Sequence, residues 1–158
     1  MPMRCRRQVW AGAALLVFVI SCGASSDTAG QASAQPGASL YKRLGGFDAI
    51  AAVVDDFVPR LVSDPQLGRF FVGHGNDSKG RIRQLAAELV CQATGGPCVY
   101  IGRPVKAAHA GLGIAESDWQ TTVKHFVATL DKFKVPQKEK DELLAIVSGL
   151  KTDIVDKP

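Results

Sequence analysis

From Leu40 onward, apolar residues recur at three- and four-residue steps, and no stretch sustains the two-residue alternation of a strand. Leu40 to Leu44 reads as a short amphipathic turn stopped by Gly45-Gly46. Phe47, Ile50, Val54, Phe57 and Leu61 then share one helix face. Pro59 interrupts that pattern and is expected to kink it, because it removes one backbone bond; Ser63-Asp64-Pro65 ends it. A short piece closing on Phe70-Phe71 precedes a polar loop, Gly73 to Asp77. The next helix is expected to start near Ser78, capped by Asp77 or Ser78, with Ile82, Leu85, Ala86, Leu89, Val90 and Ala93 on its apolar face. Thr94-Gly95-Gly96-Pro97 breaks it. Ser117 with Asp118 opens a helix carrying Trp119, Val123, Phe126, Val127, Leu130 and Phe133. After Val135-Pro136, one last helix carries Leu143, Leu144, Ile146, Val147, Leu150 and Ile154. The pattern predicts a single all-α domain over residues 40–158.

The first 39 residues follow another logic. Arg4, Arg6 and Arg7 precede Trp10 to Ile20, an unbroken run of apolar and small residues too short for a comfortable membrane span. Val19-Ile20-Ser21-Cys22 resembles a bacterial lipobox, which implies a signal over residues 1–21, cleavage before Cys22 and lipid on its sulfur. Several acyl chains anchor stably where one is marginal. Residues 22–39, rich in Gly, Ala, Ser and Gln, read as a flexible tether. The chain is therefore expected in the bacterial cell envelope, exported and lipid-anchored on the periplasmic or outer-surface side.

Removing residues 1–21 changes the charge balance. Three of 19 basic residues leave and all 15 acidic ones stay, so the net charge falls from +4 to +1. The basic character belongs mostly to the signal, and nothing points to nucleic acid.

Candidate chemistry concentrates in Tyr100 to Ile114, YIGRPVKAAHAGLGI. Pro104 suits the first helical position, and Gly111 and Gly113 stop the helix soon after His109. Barely more than one turn remains, too short to be stable unless something docks on it. A neutral imidazole is a preferred ligand of iron and zinc. In a helix the Val105 carbonyl, four residues back, would take the other ring N–H and fix the tautomer a metal needs. On these residues alone, a partly buried structural histidine remains the plainer alternative.

The order LYKRLGG, FDAIAAVVDDF, RFF, then ATGGPCVYIGRPVKAAHAGLGI resembles the first group of the truncated haemoglobins, over Leu40 to about Val155. The resemblance implies a two-over-two helical sandwich around one haem b, with His109 as proximal iron ligand. It also implies Phe71 packed on the haem face and Trp119 lining the proximal side. A porphyrin is a large apolar disc, and Phe57, Phe71, Ile82, Val90, Trp119 and Phe126 are the side chains suited to bury it. Tyr100, Arg103 and Lys106 are candidates for the propionates.

The chain departs from that family on the distal side. A tyrosine is usual one residue after the phenylalanine matching Phe57, and here Val58 stands there. The distal-helix positions read Ile82, Leu85 and Ala86, with Gln84 between them and expected to turn away. Bound O₂ gathers negative charge that a hydrogen-bond donor stabilises by roughly 1–3 kcal/mol. Without one, O₂ release should be about tenfold to a hundredfold faster. The pocket also lacks a distal acid or base, so turnover of NO or peroxide is the less favoured use. His74 is expected in solvent, and His125 in a structural role. Of four cysteines, Cys5 leaves with the signal and Cys22 takes lipid; Cys91 and Cys98 are either a short-loop disulfide or two free thiols. The leading function is reversible binding of a diatomic gas (O₂, NO or CO) by a monomeric domain, as carrier, scavenger or sensor input. A haem enzyme or a haem-free helical interaction module are the alternatives. No electron donor is identifiable.

Overall fold

The computed structural model describes residues 37–156; the signal, Cys5, Cys22 and nearly all of the tether lie outside the described residues. Ser39, at the tether's end, already belongs to the domain, because its side chain caps α1 (Leu40–Arg43) by accepting from the Lys42 N–H. The remaining helices are α2 (Gly46–Ser63), α3 (Asn76–Ala93), α4 (Val105–His109), α5 (Glu116–Lys132), α6 (Gln137–Gly149) and α7 (Lys151–Ile154), with a 3₁₀ turn at Gly68–Phe71. All regular structure among the described residues is helical, as the periodicity requires.

Three boundaries differ from expectation, while α2 ends at Ser63 as expected. Helix α2 runs through Pro59 to Ser63, because the proline stands near its C-terminal end, where little of the helix depends on the lost bond. Helix α3 starts at Asn76 behind Gly75, shortening the polar loop. Helix α5 starts behind Ala115, and Ser117 is not its cap; Asp118 reaches back to accept the Ala115 N–H at 2.9 Å. The last apolar run is two helices, parted at Leu150, whose N–H turns to the Val147 carbonyl three residues back.

Two cores set the architecture. Ile50, Val54 and Val58 of α2 meet Ala87 and Cys91 of α3, which joins those helices into one layer. Phe126 and Leu130 of α5 and Leu143 of α6 form the second core with Leu40. Val53, Phe57 and Val90 of the first layer pack onto it. One pair of helices thus lies over another. Cutting Leu130 (1% exposed) to Ala should cost about 2–5 kcal/mol. Arg43 ties α1 to α6 through Glu139 at 2.7 Å and through Glu142.

Cys91 and Cys98 are disulfide-bonded, with Cα atoms 5.8 Å apart. The bond fastens the end of α3 to the loop that leads to α4.

Candidate functional site

Helix α4 has five residues and needs outside support. It packs against α7, and Asp156 beyond α7 grips the segment after it. The Gly113 N–H donates to Asp156 Oδ2 at 3.1 Å, and the Asp156 N–H donates to the Ile114 carbonyl at 2.9 Å. Pro104 stands as the N-cap, in extended backbone one residue outside the helix, rather than at its first position. Gly111, at φ +79°, turns the chain away where a side chain would be strained.

His109 ends α4, half-buried, with Nδ1 2.7 Å from the Val105 carbonyl. A carbonyl only accepts, so Nδ1 carries a proton, and in the neutral ring the lone pair is then on Nε2. That is the ring state of a metal ligand. No group of three or more His, Cys, Asp or Glu converges among the described residues. One imidazole is a single ligand, so a bare transition-metal ion would need further donors, whereas a macrocycle brings its own.

The apolar candidates divide into two sets. Phe57 and Phe126 meet edge to face, ring centroids 5.2 Å apart at 64°. They share the α5/α6 core with Val90, while Val58 (6% exposed) and Ala86 sit in the α2/α3 core. Phe71, Ile82, Leu85, Trp119 and His109 belong to neither core. Trp119 is nevertheless 7% exposed, and Phe71, Ile82 and Leu85 are half-buried. Of this second set, Phe71, Ile82 and Leu85 keep part of their apolar surface uncovered, while Trp119 is buried. Val58 also borders a groove of about 260 Å³ with Val62, Lys79, Gly80 and Arg83. Ile82 and Leu85 do not line it. Arg83 there pairs with Asp55 at 3.1 Å.

Gln84 lies about 160° around α3 from Ile82 by helical periodicity. It is exposed and hydrogen-bonded along its own helix, accepting from Arg81 at 3.0 Å and donating to Glu88 at 2.8 Å. His74 is exposed. His125 meets Asp64 at 2.8 Å, well away in sequence from α4.

The loop before α4 is braced by Tyr100. Its N–H donates to Gln92 of α3 at 2.7 Å and its hydroxyl to the Arg103 carbonyl at 2.8 Å. A Cβ on Gly102 would lie 2.3 Å from the Tyr100 ring, so only glycine lets that ring fold back. Arg103 and Lys106 are exposed and make no ion pair among the described residues.

A polar network that sequence reading did not find ties the 3₁₀ turn to α5. Asp118, 1% exposed, accepts from Gln66 and Arg69, each at 2.7 Å, besides the Ala115 N–H. Burial pushes its carboxyl up, but the Ala115 N–H, Gln66 and the Arg69 charge outweigh burial and hold it below the ordinary value. Asp64 lies low as well, chiefly through His125 and then the Leu67 N–H. The only sequence signal was Asp118 at a helix start, which says nothing of its distant partners.

Residues 39–156 match the family described as Bacterial-like globin. The chain is 34% identical over 117 residues to a group 1 truncated hemoglobin of Mycolicibacterium paratuberculosis, covering 74% of this chain and 84% of that one. It is 31% identical over 123 residues to one from Chlamydomonas moewusii, covering 76% and 70%. Among solved structures it resembles Chlamydomonas reinhardtii THB1 (33% identity, TM-score 0.63, 76% of this chain and 98% of that). It also resembles a Synechococcus 2/2 hemoglobin solved in the cyanomet state with covalently attached heme (28%, TM-score 0.68, 75% and 99%).

Proposed function

Because this chain belongs to the bacterial-like globins, among their group 1 truncated members, we propose that it carries one haem b on His109 and reversibly binds a diatomic gas there. The observation that carries the reading is the 2.7 Å bond from Nδ1 of His109 to the Val105 carbonyl, which leaves Nε2 free to hold iron. The residues fit the group, since a single imidazole suits a metal whose remaining ligands come from a macrocycle. When bound, haem b would supply an iron able to bind O₂, NO or CO.

The chain's own part is to orient His109, exclude water and set the polarity of the gas site. The Val105 carbonyl fixes the ring, and the grip of Asp156 on residues 113–114 steadies the segment behind it. Phe71, Ile82 and Leu85, half-buried and outside both cores, offer apolar surface to such a disc, and Phe57, Phe126 and Trp119 back it from within the packed helices. Val58, Ile82, Leu85, Ala86 and Val90 have no side-chain N–H or O–H to offer a bound gas. They also hold no acid or base to move a proton, which favours carriage, scavenging or sensing over turnover. Arg103 and Lys106 leave two positive charges for propionates, and Tyr100 braces the loop that presents them.

The setting we propose is the bacterial envelope, with the monomeric domain tethered through residues 22–39 to lipid on Cys22. The disulfide of Cys91 and Cys98 suits an oxidising compartment.

The test is the absorption spectrum of the haemin-loaded ferrous chain, native against His109→Ala. A five-coordinate high-spin spectrum that the substitution abolishes supports the reading. A spectrum indifferent to the substitution sinks it.

A further inference from the structure

Asp118 has more partners than a helix cap needs. A capping carboxylate ordinarily serves backbone N–H groups of its own first turn and stays wet. This one is 1% exposed, and only one of its three bonds, to the Ala115 N–H, belongs to its own helix start. The other two go to Gln66 and Arg69, 52 and 49 residues earlier. Gln66 is fixed in turn by the Thr121 hydroxyl at 3.1 Å, and its carbonyl accepts from Arg69 at 2.8 Å. Arg69 lies two residues before Phe71 and stacks over Phe70, 4.4 Å from the ring centroid. Ala115 closes the six-residue segment that follows His109, whose middle Asp156 already holds. The same carboxylate therefore ends two paths: a short one to Phe71 and a second to His109.

We propose that Asp118 is a positioning residue for the haem, fixing the spacing between the turn that presents Phe71 and the segment that presents His109. The inference rests on the reading of His109 as iron ligand and Phe71 as haem-face residue. Arg69, Gln66 and Asp118 act as one strap between the 3₁₀ turn and the start of α5. Loosening it lets the two walls move independently, while the helices, held by the two apolar cores, stay formed.

The experiment uses the full chain loaded with haemin, in four variants: Asp118→Asn, Arg69→Leu, Asp56→Asn and His109→Ala. Asp118→Asn keeps the size and loses the charge. Arg69→Leu removes one arm from a half-exposed position, and so remains informative should the buried substitution fail to fold. Asp56→Asn removes an ion-pairing carboxylate bound to Arg60 and Lys132, outside the strap. Haem transfer to excess apomyoglobin should be about tenfold faster for the two strap variants, as expected when a charge-assisted bond is lost. Their ferrous iron–histidine stretching band should shift or broaden, and amide exchange over Gly68–Phe71 should quicken in the haem-free chain. Asp56→Asn should lower the melting temperature and change none of these. If the strap variants melt earlier yet keep native haem loss and a native band, Asp118 is only a stability residue and the proposal fails. His109→Ala separates the premise: losing the band supports His109 as ligand, and keeping it overturns the premise and the strap together.

Discussion

The Val105 carbonyl accepts the Nδ1 proton of His109 at 2.7 Å, so a backbone atom four residues back decides which ring nitrogen is free. On the reading proposed above, His109 would hold the iron through an imidazole in a fixed tautomer. Imidazole added to a cavity variant should then replace it. His109→Gly is expected to lose the five-coordinate ferrous spectrum and to regain it in millimolar imidazole. Absorption and magnetic circular dichroism check this. A variant whose spectrum ignores imidazole would place the iron ligand elsewhere.

Val58 is buried in the α2/α3 core and has no polar atom in its side chain. In the gas site proposed above, a hydroxyl introduced at this position would supply a hydrogen-bond donor. Val58→Tyr should slow O₂ dissociation by about tenfold to a hundredfold, the value of one hydrogen bond of roughly 1–3 kcal/mol. CO release should change much less, because bound CO gathers little charge. Stopped-flow displacement of each gas measures the two rates, and equal effects on both would argue for a steric cause instead.

What the sequence made legible were features whose signals lie close together in the chain. Helix α4 is announced by Pro104 on one side and by Gly111 and Gly113 on the other, and its hydrogen bond spans four residues. The apolar stripes of α2, α3 and α5 are equally local, which is why an all-α class could be read from them. The Asp118 strap was not legible, because its partners lie about fifty positions away and a carboxylate at a helix start looks like a cap. The break at Leu150 was hidden because helical apolar spacing continues across it from Val147 to Ile154. The Cys91 and Cys98 pair was visible but undecided until the loop brought their Cα atoms to 5.8 Å. Its sequence position makes Tyr100 a propionate candidate, yet its hydroxyl donates to the Arg103 carbonyl, in a fold that Gly102 leaves room for.

The disulfide closes a loop of eight residues around the Gly95-Gly96 turn, with Cys91 fully buried. Cross-linking a loop of that size restricts the unfolded chain by roughly 2–3 kcal/mol. Cys91→Ser with Cys98→Ser should therefore lower the melting temperature by about 10 °C, scaled for a domain of this size. Treating the native chain with a phosphine reductant should do the same, and should leave the double variant unchanged. Calorimetry with and without reductant checks both, and a reductant effect on the double variant would show another cause.

Acid should unfold the domain through a small set of carboxylates. Asp56 is held down to about 2 by hydrogen bonds from Arg60 and Lys132. Asp64 is lowered by His125 and the Leu67 N–H. Asp118 is lowered because its hydrogen bonds and the Arg69 charge outweigh burial. Each group therefore binds fewer protons folded than unfolded across the interval between its two values. Its stabilising contribution is complete above the unfolded value near 3.8 and is lost as pH falls through the folded one. The urea midpoint should stay level from about pH 7 to about pH 5 as far as these groups set it, and fall steeply between about pH 4 and pH 2. Asp56→Asn should lower the level part and make the acid limb shallower, since one depressed carboxylate no longer takes up its proton on unfolding. Far-UV circular dichroism across that range gives the curve. A steep fall already under way near pH 6 would assign acid sensitivity to a histidine instead.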